Sequence, residues 1–378
     1  MGLFDEFKMR GVRIPNRIVV SPMSQYASKD GFANDWHFAH LSRFALGGAG
    51  LIFTEATAVE AQGRRTHGDL GLWQDDQIDE LKRIVHFIKS EGAVAGIQLG
   101  HAGRKASERR PWDGETPVDD TDIAERDEAP WPTLGPSAIP YAGGWHIPEE
   151  MTRADIERVK YAFRDAAARA ASAGFEVIEV YAAHGFLLHQ FYSPIANVRL
   201  DDYGGSFENR VRLCLEVADS IRLVWPEERA LIFRISATDW VDGGWEVEES
   251  IELARLLKAR GVDAIDCSIG GIGGRGRPRR MTLEEGFQVP FAERIRHESD
   301  IATVAVGMIW SADFADRVVQ EGRADLVAIA RELLADPNWP LKAMGSLGIE
   351  REPFENWKPA FGWWLNKRER LVRKLGLR

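Results

Sequence analysis

Cysteine is nearly absent. The chain has only Cys214 and Cys267, and neither lies in a Cys-x-x-Cys pattern. It therefore has no disulfide framework and no ligand set for a cysteine-based zinc or iron–sulfur centre, which fits a reducing cytoplasm. No uninterrupted apolar run approaches membrane-spanning length. The N-terminus, Met1-Gly2-Leu3-Phe4-Asp5-Glu6, lacks the basic-then-apolar order of a secretory leader, so none is expected. Positive charge is also scarce: 48 Lys and Arg face 58 Asp and Glu, for a net charge of −10 and a pI near 5.5. That balance argues against nucleic acid or an anionic membrane as the main partner and leaves small molecules.

What is present suffices for a large core. Of 378 residues, 44% are hydrophobic and 28% charged, with a mean hydropathy of −0.28. The length admits two ordinary domains or one α/β barrel with insertions. A cadence decides between them. Helical segments close on a glycine and a β-rich run follows: Gly48-Ala49-Gly50-Leu51-Ile52-Phe53-Thr54, Gly92-Ala93-Val94-Ala95-Gly96-Ile97-Gln98, Gly174-Phe175-Glu176-Val177-Ile178-Glu179-Val180, Gly261-Val262-Asp263-Ala264-Ile265-Asp266-Cys267 and Gly322-Arg323-Ala324-Asp325-Leu326-Val327-Ala328-Ile329-Ala330. Glycine supplies the left-handed residue that ends a helix, and runs apolar on both faces imply a parallel sheet covered by helices.

Adding Ile18-Val19-Val20, Leu231-Ile232-Phe233-Arg234-Ile235 and Ala302-Thr303-Val304-Ala305-Val306 gives eight strands. Between them lie helical segments, one over about 152–173 with Thr152 as N-cap and one over about 247–260. Eight alternating units predict an α/β fold of the (β/α)8 TIM-barrel type, with a doubly wound sheet as runner-up. The barrel is expected over 1–345, with an insertion after the third strand at about 106–150 and an aromatic, basic tail over 346–378. The insertion reads equally as a lid or as a solvated loop. The tail carries Trp357, Phe361, Trp363 and Trp364, which suggests a subunit interface or a pocket rim.

Chemistry in a barrel gathers where strands end. The fourth strand ends in Tyr181-Ala182-Ala183-His184-Gly185-Phe186, which places a phenol and an imidazole three residues apart. Arg234 sits inside the apolar fifth strand, where it needs an anionic partner: a barrel carboxylate such as Glu179 or Glu55, or a bound anion. Gly307 follows the seventh strand and Arg331 the eighth, the usual barrel phosphate position. Gly271-Ile272-Gly273-Gly274-Arg275-Gly276 matches G-x-G-x-x-G, but Arg277-Pro278-Arg279-Arg280 does not extend the helix that a dinucleotide fold needs. It reads instead as a flexible loop that meets an anionic group. His37, His40, His101 and His189 read as structural.

Together, Ser21-Pro22-Met23, Gln98 with His101-Ala102-Gly103-Arg104-Lys105, the Tyr181–Phe186 stretch, Asp202-Tyr203-Gly204-Gly205-Ser206-Phe207-Glu208-Asn209-Arg210 and Ala330-Arg331-Glu332-Leu333-Leu334-Ala335-Asp336-Pro337 resemble the Old Yellow Enzyme family, nearest its thermophilic-like ene-reductases. The resemblance implies a barrel that binds FMN non-covalently, is reduced by NAD(P)H and passes hydride to an activated alkene. It implies Ser21, Pro22, Met23 and Ser24 against the flavin, Ala56 beside it, Gln98 at its pyrimidine edge and Arg234 near N1. It puts Gly307, Ala330 and Arg331 at the phosphate, Tyr26 in the substrate pocket, and a homodimer or larger assembly in solution.

Three positions depart from the family pattern. Ser24 stands where relatives usually have cysteine. Tyr181-x-x-His184 replaces His-x-x-His or His-x-x-Asn. Phe186 replaces a tyrosine that protonates the substrate in many members. Tyr-x-x-His resembles the amine-oxidising branch, whose iron–sulfur centre and further domains are missing from this sequence. The resulting expectation is FMN-dependent reduction of α,β-unsaturated carbonyl or nitro compounds, with Tyr181, His184 and Tyr26 as catalytic residues. Amine or C–H oxidation, and FMN binding with little turnover, are the alternatives.

Overall fold

The structure, a computed structural model, describes residues 1–273, 282–350 and 352–377. Eight parallel strands close on themselves: β1 (Ile18–Val20), β2 (Leu51–Ala58), β3 (Val94–Gly100), β4 (Val177–Ala182), β5 (Ala230–Ser236), β6 (Ala264–Ser268), β7 (Ala302–Ala305) and β8 (Leu326–Ile329). Each strand pairs with the next, and β8 returns to β1 through Val327 and Ile18. Closure settles the fold as a (β/α)8 barrel and removes the open edges that a doubly wound sheet would keep.

The helices follow in alternation: α1 (Asp35–Leu46), α2 (Ile78–Ser90), α3 (Arg153–Ala173), α4 (Phe207–Arg222), α5 (Val247–Lys258), α6 (Val289–Ser299), α7 (Ala312–Gln320) and α8 (Trp339–Ser346). Thr152 caps α3 by accepting from the Asp155 amide, and Gly174 ends it at φ 95°. Ile156, Val159, Phe163, Ala167 and Ala170 form its buried stripe against the barrel. α5 stops at Lys258, two residues short of the expected end.

The side-chain period of two builds the interior in layers. Val177, Ile232 and Ala264 form the lowest layer with Val19, Leu51, Phe53 and Val94. An antiparallel hairpin, Phe7–Met9 with Val12–Ile14, closes that end with Met9, Val12 and Ile14. Two residues further along β4, β5 and β6 come Glu179, Arg234 and Asp266, and two further again Tyr181, Ser236 and Ser268. Apolar floor, charged middle and hydroxyl-bearing mouth thus follow from one periodicity.

The insertion is built rather than solvated. Arg109 pairs with Asp122 on a short helix, Asp120–Arg126, and Arg110 pairs with Glu128. Ser107, Val118 and Asp122 are fully buried. The tail forms a helix, Pro359–Lys374, in which Trp363 and Trp364 remain 59% and 63% exposed. The rings stand at the surface of the monomer, where Trp357, Phe361 and Trp364 line a pocket with Arg43, Leu46 and Pro337.

Candidate functional site

Arg234 organises the charged layer. Its Nη1 donates to Ser21 Oγ at 3.0 Å and its Nε lies 3.7 Å from Asp266 Oδ1. The expected partners are thereby corrected. Glu55 instead faces the His37 ring at 3.1 Å and accepts from the Gln25 amide, because β2 carries a register shift between Phe53 and Ala56. Glu179 acts on Arg234 only electrostatically; its Oε1 accepts from Gln98 Nε2 at 2.7 Å. Burial, and then the charge of Asp266, push the Glu179 carboxyl well above its ordinary range. Glu179 is raised the further of the two and is the carboxyl that holds a proton; burial raises Asp266 as well, but Arg234 opposes that rise, and Asp266 faces it as the carboxylate.

The mouth carries a chain of hydrogen bonds. Tyr181 Oη lies 2.9 Å from His184 Nδ1, and His184 Nε2 lies 2.5 Å from Ser268 Oγ. Ser268 in turn donates to Gln288 Oε1 at 3.2 Å. A serine has one proton, so its oxygen must accept from Nε2–H of His184. Nδ1 is then the acceptor, and Tyr181 donates to it. Burial and the nearby Arg234 and Lys105 hold His184 well below its ordinary pKa, and burial pushes Tyr181 up to about 12. The pair is a neutral imidazole and a neutral phenol.

Backbone strain aims this pair. His184 has φ +53° and Gly185 φ +77°. The His184 amide donates to Ser236 Oγ at 2.9 Å, and its carbonyl accepts from Lys105 Nζ at 3.1 Å. At Gly185 a Cβ would meet the Gly271 carbonyl oxygen at 2.2 Å, so only glycine fits. Across the mouth, Tyr26 also has φ +53°. Its oxygen accepts from Arg65 Nη1 at 3.1 Å, and burial raises its pKa.

Beside the pair opens a cavity of about 610 Å³, within the range of cofactor sites. Ser21, Pro22, Arg234, Gly307, Ala330 and Arg331 line it, six of the ten residues expected at the flavin. Ser268 and Gln288 line it too, which links the cavity to Tyr181 and His184. The buried Nε of Arg234 has no hydrogen-bond partner. Met23 packs on the core, Ser24 lies near Tyr26, Ala56 packs with Ala102, Ala106 and Phe186, and Gln98 turns to Glu179. The segment expected to meet an anion divides: Gly271–Gly273 lie among the described residues, and 274–281 lie outside them.

The four histidines read as structural sit in closed hydrogen bonds or packing. His189 bridges the Gly185 amide and Asp239, His101 faces Glu60 and His37 faces Ser28. His40 packs edge-on to Phe44. The sequence reading missed Ser236, Ser268, Gln288 and Arg65. Both serines end their strands, so the strand register alone would have placed them at the mouth.

A closed barrel with a cofactor-sized cavity and a neutral hydrogen-bonding pair at its mouth has the build of a barrel enzyme, and similarity gives its class. Residues 2–349 match the model of the NADH:flavin oxidoreductase / NADH oxidase family. An NADPH dehydrogenase of Geobacillus sp. (strain WCH70) is 44% identical over 348 residues, covering 92% of this chain and 94% of the relative. Among solved structures, morphinone reductase shares 26% identity at a TM-score of 0.74, with 96% of this chain and 92% of that one covered. Histamine dehydrogenase from Rhizobium sp. 4-9 shares 28% identity at a TM-score of 0.72; 91% of this chain matches only 48% of that one. The chain belongs to the NADH:flavin oxidoreductase / NADH oxidase family, the Old Yellow Enzyme family that its motifs resemble. It is an FMN-dependent NAD(P)H oxidoreductase.

Proposed function

We propose that this enzyme reduces activated C=C bonds of α,β-unsaturated carbonyl or nitro compounds, with NADPH as the preferred reductant. The observation that carries the reading is the directed Tyr181–His184–Ser268 network beside the cavity, whose two neutral donors are held on Nδ1 and Ser268 until a substrate oxygen replaces those acceptors. Bound in this cavity, FMN would supply the hydride chemistry that connects the nicotinamide to the alkene.

The residues suit that cofactor. The cavity carries an unpartnered guanidinium nitrogen on Arg234 where negative charge is to be stabilised, and Arg331 with Gly307 and Ala330 where a phosphate is to be held. Ser21, Pro22, Met23, Ser24, Ala56 and Gln98 complete the flavin's surroundings in this reading. Tyr181 and His184 polarise the activating oxygen of the substrate by turning their O–H and Nε2–H to it from His184 Nδ1 and Ser268. Tyr26 supplies the proton: its oxygen accepts from Arg65, which leaves its own O–H for the substrate. Phe186, at 4.1 Å from the Tyr181 ring, shapes the pocket and donates nothing.

The second reading, amine oxidation, draws on the likeness to histamine dehydrogenase and on Tyr-x-x-His. It needs Tyr181 as a base, and burial holds that phenol protonated up to about pH 12. The exposed Trp363 and Trp364 support a homodimer or larger assembly in a cytoplasmic setting, which sedimentation of the holoenzyme tests. For the reaction itself, the test is NADPH oxidation followed together with the loss of an enone's absorbance. Matched rates support the reading. NADPH consumption independent of the enone contradicts it.

A further inference from the structure

The chemistry so far leaves one buried cation without a task. Lys105 ends the single turn Gly103–Lys105 after β3 and is 8% exposed. Its Nζ donates to the His184 carbonyl oxygen at 3.1 Å and lies 4.6 Å from the centre of the Tyr141 ring and 6.0 Å from that of Phe186. Among the described residues no carboxylate forms an ion pair with it. The neighbouring arginines of the same rim differ: Arg65 pairs with Glu108 and Glu115, Arg109 with Asp122, and Arg110 with Glu128. Arg104 also lacks a carboxylate, but it bonds the carbonyl oxygens of Ile139, Pro140 and Ile272 and so ties the insertion to the β6 loop.

An ammonium has three donors, and here one protein oxygen and two aromatic faces meet them. A staple to the His184 carbonyl needs no charge; a neutral donor would serve without the cost of a buried, unpaired cation. Glu108 and Glu115 act on that charge only from beyond ion-pair distance, and Arg65 and Arg104 oppose them, so the charge calls for a further anion. Phe186 separates Lys105 from the catalytic pair, with its ring 4.1 Å from that of Tyr181. Having no hydroxyl, it offers the ammonium no oxygen. A short molecule whose carbonyl meets Tyr181 and His184 can therefore bring a second oxygen group to Lys105.

We propose that Lys105 is an anchor for a substrate carboxylate, which makes the substrate class short unsaturated oxo-acids. The proposal rests on the ene-reduction reading for the identity of the reacting bond, but the anchor itself can be read without turnover.

The probes are (E)-4-oxopent-2-enoate and its methyl ester, titrated into oxidised FMN holoenzyme, with Kd read from the change in flavin absorbance. At neutral pH the native enzyme is expected to bind the acid at least about tenfold more tightly than the ester, the contribution of a hydrogen bond to a charged group. Lys105→Met removes that preference and leaves the ester's Kd little changed. Lys105→Arg keeps it. The groups bearing on Lys105 are Arg65, Arg104, Glu108, Glu115, His184 and Tyr141, and burial lowers its own pKa to about 8. The native preference should therefore fade above about pH 8 while that of Lys105→Arg persists. Equal binding of acid and ester by the native enzyme, or equal loss of both in Lys105→Met, overturns the proposal. A Lys105-dependent preference in an enzyme that reduces neither compound with NADPH upholds the anchor and overturns the ene-reduction reading instead.

Discussion

Tyr181 donates to His184 Nδ1 across 2.9 Å, and the direction of that bond is fixed from the other side of the ring by Ser268. Both partners are uncharged over the working range of the enzyme. A substrate oxygen that takes over either bond meets a donor whose protonation does not change near neutrality.

Tyr181→Phe tests this directly. It removes one donor and leaves the ring, which packs on Phe186, in place. Alkene reduction is expected to fall about 10²-fold, the lower end for a positioned proton-bearing group, with FMN content unchanged by absorbance. The pH profile of the native enzyme should show no inflection from this pair between pH 6 and about 12, the value to which burial pushes Tyr181. Steady-state rates in a buffer series check both statements.

Tyr26 and Phe186 form a second pair of predictions. Tyr26→Phe removes the proposed proton source and should slow reduction by about 10²-fold. Phe186→Tyr in that background returns a hydroxyl to the pocket wall and is expected to recover much of the loss. A solvent isotope effect that disappears in Tyr26→Phe and reappears in the double variant would identify the transferred proton.

The charged layer predicts an asymmetry between two carboxyls. Glu179 is protonated, so Glu179→Gln keeps shape and hydrogen bonding and should cost under about 1 kcal/mol at neutral pH. Asp266→Asn strips Arg234 of its counter-ion and should cost about 3–5 kcal/mol. The sign of the pH effect follows. A carboxyl whose folded pKa is raised contributes most below its unfolded value, here 4.5, and loses that contribution as pH climbs through the raised value. Urea midpoints of Glu179→Gln relative to native should therefore improve as pH rises.

Gly185 fixes the aim of His184. Gly185→Ala places a Cβ 2.2 Å from the Gly271 oxygen in a left-handed residue, which should cost about 1–3 kcal/mol. The shift in His184 should lower the rate by about 10²-fold. Thermal melting and steady-state kinetics on the same preparation check the two effects.

Much of this was legible in the chain because strand runs apolar on both faces have few alternatives to a covered parallel sheet. The step from Glu179 to Tyr181, and the lone Arg234, announced a polar layer. Asp266 escaped notice as its partner because partnership depends on the β5–β6 register, which a single strand does not reveal. Glu55 was a false partner because the shift in β2 turns it outward to His37. Gln288 and Arg65 reach the site from loops, and no periodicity places a loop residue. The tail rings suggested an interface or a pocket rim on composition alone, and composition does not say what they pack against.

The central claim is that this barrel passes hydride from NADPH to an activated alkene through its Tyr181–His184 site. Anaerobic stopped-flow absorbance of the FMN holoenzyme tests it most directly. NADPH should bleach the flavin, and an enone should restore its colour at a rate that Tyr181→Phe lowers. A flavin that NADPH leaves oxidised and an amine bleaches would contradict the account.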